Sequence, residues 1–157
     1  MNIRSIMMEK IVGLVMLLTA LSSYGFRDNQ PQVLGTIYEA AGKGNLEDVK
    51  RLLRNGVAVN AKDEMGMTPL YFAASAGQTA VAELLISKGA DVNIKAIMGY
   101  TPLQVAASAG HKDVAELLIA KGADINAKNK YGKKPMSVAA FAGHNDVMEL
   151  LKRYGER

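Results

Sequence analysis

Along residues 34–155 the apolar positions fall into short stripes of helical spacing that return at a fixed interval. Leu70, Ala73 and Ala74 share one helical face, and Leu103, Ala106 and Ala107 share the same face 33 residues later. A second stripe follows each first one: Val81, Leu84 and Leu85, then Val114, Leu117 and Leu118. Polar punctuation agrees. Thr68-Pro69 and Thr101-Pro102 precede the first stripes; threonine suits an N-cap, and proline suits the first helical position because its missing N–H is not needed there. Gly77 and Gly110 end the first helix of each unit, and Gly89 and Gly122 close the second at a left-handed position. Then Ala90-Asp91-Val92-Asn93 and Ala123-Asp124-Ile125-Asn126 lead into turns ending at Gly99 and Gly132.

The interval governs the whole region. Glycines stand at 44, 77, 110 and 143, at 56, 89, 122 and 155, and at 66, 99 and 132, always 33 apart. Asn60, Asn93 and Asn126 keep that step, as do Ala-Ala pairs at 40–41, 73–74, 106–107 and 139–140. One helix pair cannot bury its own apolar face, so the pattern predicts stacking: an all-α repeat solenoid of four units, at about 34–62, 63–95, 96–128 and 129–157.

Thr68-Pro69-Leu70, Thr101-Pro102-Leu103, the Ala-Ala and Leu-Leu pairs, and Gly-Ala-Asp-x-Asn at 89–93 and 122–126 together resemble the ankyrin-repeat family. The resemblance covers roughly residues 34–155. It implies helix-turn-helix pairs with β-hairpin or loop tips projecting between neighbours, and a concave binding face built from those tips and the inner helices. Departures are visible. The histidine that usually follows Thr-Pro-Leu in the family is replaced by Tyr71, Gln104 and Ser137, and the last repeat reads Lys134-Pro135-Met136, without the threonine cap. Repeat four is therefore expected to fray first. Lys152, in phase with Leu53, Ile86 and Ile119, suits an outer helix with no repeat beyond it, so the array is expected to end there.

Residues 1–25 differ from the rest. Arg4 and Lys10 are followed by an uncharged stretch, Ile11 to Phe26, and by the small residues Ala20, Ser22, Ser23 and Gly25. This is the three-part form of a secretory signal peptide, with cleavage after Ser22, Ser23 or Gly25. A retained membrane anchor is the alternative, although a spanning helix needs about 20 apolar residues. Residues 26–33 read as a lead-in. The expected location is periplasmic or secreted, or the inner membrane if the anchor is kept.

Composition narrows the chemistry. The chain has 157 residues, no cysteine and a formal charge of +4. Disulfide scaffolds, thiol catalysis and cysteine-ligated metals are excluded. Aromatics at 6% are too few for a base-stacking surface, and the mild charge gives no independent reason to expect nucleic acid. No phosphate loop, Gly-x-Ser-x-Gly elbow or His-Glu-x-x-His motif occurs. His111 and His144 are 33 apart, each directly after a repeat glycine, and no carboxylate clusters with both in a known ligand spacing; in the resemblance this position is commonly histidine, and a structural role follows. Asp91 and Asp124 belong to turns, where short polar side chains bond local backbone. No catalytic, cofactor or metal residue is expected, and no small-molecule substrate.

Carried over from the resemblance, the tip positions hold Glu64, Met65 and Met67, then Ile97, Met98 and Tyr100, then Lys130, Tyr131 and Lys133. The inner-helix contact positions hold Phe72 and Ser75, Val105 and Ser108, Val138 and Phe141. Methionine and aromatic residues are enriched at interface cores, so these positions imply an apolar face for a protein partner. Met65, Met67, Phe72, Ile97, Met98, Tyr100, Val105, Tyr131 and Phe141 are the expected anchors, with Lys133 among a lysine rim that includes Lys128, Lys130 and Lys134. The sequence thus describes a monomeric, non-catalytic, exported adaptor. A periplasmic inhibitor or immunity protein for a toxic enzyme, and a membrane-tethered scaffold that keeps its N-terminal helix, fit the same features.

Overall fold

The computed structural model describes the backbone of residues 31–155 and the side chains of 37–155; the leader read in residues 1–25 lies outside them. Eight helices are found among the described residues. They are α1 (Pro31–Lys43), α2 (Leu46–Arg54), α3 (Pro69–Ser75), α4 (Thr79–Ser87), α5 (Pro102–Ala109), α6 (Lys112–Ala120), α7 (Pro135–Ala142) and α8 (Asn145–Gly155). Helix α1 begins at Pro31, so part of the expected lead-in is helical. None of the described helices is long and apolar enough to cross a membrane.

Odd-numbered helices pack on one another as an inner row, even-numbered helices as an outer row, and each inner helix packs on the outer helix that follows it. The alanine pairs allow the inner row to close up. Ala41, Ala73, Ala74, Ala106, Ala107 and Ala139 are fully buried, whereas Ala140 in the last described repeat is exposed. Val81, Leu85, Val114, Leu118, Val147 and Leu150 fill the seam between the rows.

The threonines cap as their spacing predicts. Thr68 Oγ1 accepts from the Tyr71 N–H at 3.3 Å, and Thr101 Oγ1 accepts from the Gln104 N–H at 3.3 Å. Lys134 stands at the same place with no side-chain cap bond. Gln104 is wholly buried: its Oε1 accepts from the Thr101 N–H at 3.1 Å, and its Nε2 donates to the Ala127 and Lys133 carbonyls at 3.2 and 2.7 Å. One amide therefore ties a helix start to two points of the next tip.

Asparagines lace the opposite end of each repeat to the next. Asn60 Nδ2 donates to the Gly89 carbonyl and its Oδ1 accepts from the Asp91 N–H. Asn93 repeats this with Gly122 and Asp124. Asp91 and Asp124 accept from the Asn93 and Asn126 N–H groups, the local turn bonds their positions suggested.

The projecting tips are turns, and the described residues contain no strand. Each tip closes on itself by a single pair of backbone bonds: in the first, Asp63 N–H donates to the Met67 carbonyl and Gly66 N–H to the Asp63 carbonyl. That is too short to propagate a ladder. Neighbouring tips are bonded to each other instead, Ile97 N–H to the Met65 carbonyl at 2.8 Å and Lys130 N–H to the Met98 carbonyl at 3.1 Å.

Candidate binding face

The tips present side chains in register because their backbones are tied together. Gly99 makes the close approach possible. Its φ is +74°, and a Cβ there would sit 3.0 Å from the Lys130 nitrogen and 3.2 Å from the Asn129 Cα. In the first and third tips a side chain braces the turn: Asp63 Oδ1 accepts from the Met65 and Met67 N–H groups, and Asn129 Oδ1 from those of Tyr131 and Lys133. Ala96 holds the equivalent place in the second tip and offers no such brace.

On this frame the large exposed apolar side chains of the described residues are Met65 (49% exposed), Ile97 (49%), Met98 (45%), Tyr131 (60%) and Phe141 (98%). All five lie on tips or on the inner helix α7, and none on an outer helix. Met98 and Tyr131 touch, with Tyr131 Oη 4.0 Å from Met98 Sδ. Met67, Phe72 and Tyr100 are half-buried, and Lys133 is exposed. Val105 is different from the other expected anchors: at 8% exposure it offers little surface to a partner. Ser75 and Ser108 are exposed two repeats and one repeat before Phe141, so Phe141 stands at the end of a row of small residues.

Aromatic packing stiffens the first-tip side of the face. Tyr38 stacks on Phe72 with centroids 5.3 Å apart, and Tyr71 meets Phe72 edge-on at 6.2 Å. The Tyr38 hydroxyl is buried without a hydrogen-bond partner. Burial, and then the Asp63 charge, push its pKa above the ordinary tyrosine value. Tyr71 is pushed the same way by burial, Tyr100 and Asp63.

Among the lysines of the last tip, Lys128, Lys130 and Lys133 are exposed, and Lys134 Nζ donates to Asn126 Oδ1. His111 and His144 serve the stack: their Nε2 atoms lie 3.1 and 3.0 Å from the Ser75 and Ser108 carbonyls. The described residues contain no group of three or more His, Asp or Glu placed to hold a metal ion.

One feature escaped the sequence reading. Between α2 and α4, in the outer row, lies a cavity of about 350 Å³ lined by Lys50, Leu53, Arg54, Leu84 and Lys88. Its signal was present in the sequence as a break of charge phase, since Lys50 and Arg54 stand where the next repeat has Glu83 and Ser87.

A family model described as ankyrin repeats matches the chain in three copies, at residues 15–96, 37–129 and 97–157. No curated protein matches the sequence.

Proposed function

This chain belongs to the ankyrin-repeat family, whose members are generally protein–protein interaction modules and typically non-catalytic, and on that premise we propose that it is an exported adaptor holding one protein partner on its tips and inner helices. The observation that carries the reading is the confinement of the exposed large apolar side chains of the described residues to that one face. A soluble protein seldom leaves such a cluster uncovered without use, and methionine and aromatic side chains suit an interface core. Met65, Ile97, Met98, Tyr131 and Phe141 are the anchors; Met67, Phe72 and Tyr100 support them; Lys130 and Lys133 form a cationic rim. Tip-to-tip bonds preorganise the face, which lowers the ordering cost of docking. Export is supported by Arg4 and Lys10 ahead of the uncharged stretch Ile11 to Phe26, and places the module in the periplasm or outside the cell.

The test is affinity capture of the tagged protein from its native cells, with the N-terminus of the captured chain sequenced. One dominant protein on a chain starting between Ser23 and Phe26 is the expected result. Capture that is the same for the wild type and a Met98→Asp variant overturns the face. A captured chain that retains residues 11–26 overturns cleavage and favours the tethered scaffold.

A further inference from the structure

The repeats provide an internal comparison for the outer-row cavity. Its floor is Leu53 and Leu84, and its rim is Lys50, Arg54 and Lys88. One repeat later the positions in phase with Lys50, Arg54 and Lys88 hold Glu83, Ser87 and Lys121; two repeats later Glu116, Ala120 and Tyr154. The scaffold is the same at each joint, so three cations around an apolar floor are not a requirement of the fold. They are neutralised only in part: Lys50 pairs with Glu47 at 2.8 Å, and that carboxylate also feels the Arg54 charge, while Arg54 and Lys88 make no ion pair among the described residues. At the last joint, by contrast, Glu116 is paired with Arg153 at 3.3 Å.

Size and surroundings decide what fits. Lys50 to Arg54 and Leu84 to Lys88 each span about one helical turn, roughly 6 Å of rise. That length suits one bulky side chain and is short for an extended acyl chain. A flat anionic bilayer is disfavoured as well, because the same outer row carries Glu83, Glu116 and Glu149.

We propose that this cavity is a second docking site, separate from the tip face, for an acidic peptide segment of a protein partner: one bulky apolar side chain enters over Leu53 and Leu84, and flanking carboxylates meet Arg54, Lys88 and Lys50. The site does not depend on the tip-face reading. Ion pairs at such a rim are screened by salt, so binding weakens as ionic strength rises.

The probe is a fluorescein-labelled peptide, Glu-Glu-Leu-Glu-Glu, followed by fluorescence anisotropy with the purified full chain at low salt. The decisive variant joins Lys50→Glu to Arg54→Ser, the residues that the second repeat already uses in phase, so the fold tolerates them. It is expected to bind about tenfold more weakly, with a melting temperature lowered at most slightly by loss of the exposed Lys50–Glu47 pair. A peptide with glutamines for glutamates and one with glycine for leucine are expected to bind more weakly too. Met98→Asp is expected to leave the affinity unchanged, which separates this site from the tip face. Equal binding by wild type and the double variant overturns the proposal, as does equal binding of the glycine peptide. Tighter, Arg54-dependent binding to phosphatidylglycerol vesicles than to the peptide also overturns it, in favour of a lipid site.

Discussion

His144 Nε2 lies 3.0 Å from the Ser108 carbonyl, 36 residues back, and its ring covers Gly110. The carbonyl can only accept, so Nε2 carries the proton. A Cβ on Gly110 would fall 2.6 Å from the ring's Cε1 and Nδ1, at a φ of +75° that favours glycine anyway. Histidine and glycine therefore form one device, repeated by His111 over Gly77. At the first joint Gln78 does the same work, donating to the Gly42 carbonyl at 3.2 Å. Gly110→Ala is expected to cost about 1–3 kcal/mol in urea unfolding, from backbone strain and displacement of the ring. His144→Gln should be nearly neutral because Gln78 shows that an amide reaches the carbonyl, whereas His144→Ala should cost about 1 kcal/mol. An equal cost for Gln and Ala would mean that the ring, not the hydrogen bond, matters.

The last repeat lacks what Thr68 and Thr101 provide. Lys134 leaves the start of α7 without a side-chain cap, and Ala140 is exposed. Lys134→Thr should raise stability by about 1 kcal/mol, offset in part by loss of the Lys134–Asn126 bond. Native-state hydrogen exchange checks the locality. Amides of α7 and α8 should exchange before those of α3 to α6, and the substitution should slow the terminal pair alone. Uniform slowing across all repeats would show that the stack opens only as a whole.

Ala96 interrupts a pattern kept by Asp63 and Asn129, whose Oδ1 atoms each accept two backbone N–H groups of their own tip. Ala96→Asp places an acceptor where the Met98 and Tyr100 N–H groups can reach it. The expected gain is about 1 kcal/mol, or roughly 4 °C in melting temperature. A lower melting temperature would mean that the second tip needs a different backbone from its neighbours.

Those three devices also show which parts of the fold could be read in advance. The 33-residue step, the threonine caps and the buried alanine and leucine stripes follow from spacing alone, because each is a local helical rule applied three or four times. Gln104 did not follow. Its departure from the family's histidine was visible, but its amide also donates to two carbonyls of the next tip, and those bonds across the joint only three-dimensional proximity reveals. Val105 was expected on the binding face from its register, but at 8% exposure it offers a partner little surface. The cavity rimmed by Lys50, Arg54 and Lys88 joins residues of two helices, and no single-helix pattern contains it.

Tyr38 holds a buried hydroxyl with no partner, so it contributes through its ring, buried in the core and stacked on Phe72. Tyr38→Phe keeps the ring and removes an unsatisfied polar atom. It should stabilise the fold by about 1 kcal/mol at neutral pH. The pKa of Tyr38 is raised above 10.0 in the folded chain, so the fold holds the proton more tightly than the unfolded chain does. The associated stability is fully present below pH 10.0 and falls as the pH rises towards the folded value. Melts taken between about pH 9 and 11 should therefore decline less steeply for Tyr38→Phe than for wild type. A parallel decline would assign the alkaline loss to Tyr71.

Met98 is the sharpest probe of the tip face. It is 45% exposed, its backbone carbonyl fixes the third tip through Lys130, and its sulfur meets the Tyr131 hydroxyl group at 4.0 Å. Met98→Asp leaves the backbone bond intact and puts a charge at the middle of the apolar cluster. Desolvating that carboxylate against an apolar partner should cost at least about 2 kcal/mol, enough to lower capture more than tenfold. The circular-dichroism melt should hardly change, since the side chain is half in solvent already. Tyr100→Ala should also abolish capture, but Tyr100 is half-buried, so a small loss of melting temperature is expected as well. The pair separates binding from folding. If capture falls only in the variant that also melts early, the exposed methionine is not an anchor. If it falls in both while Met98→Asp melts like wild type, the tips carry the partner.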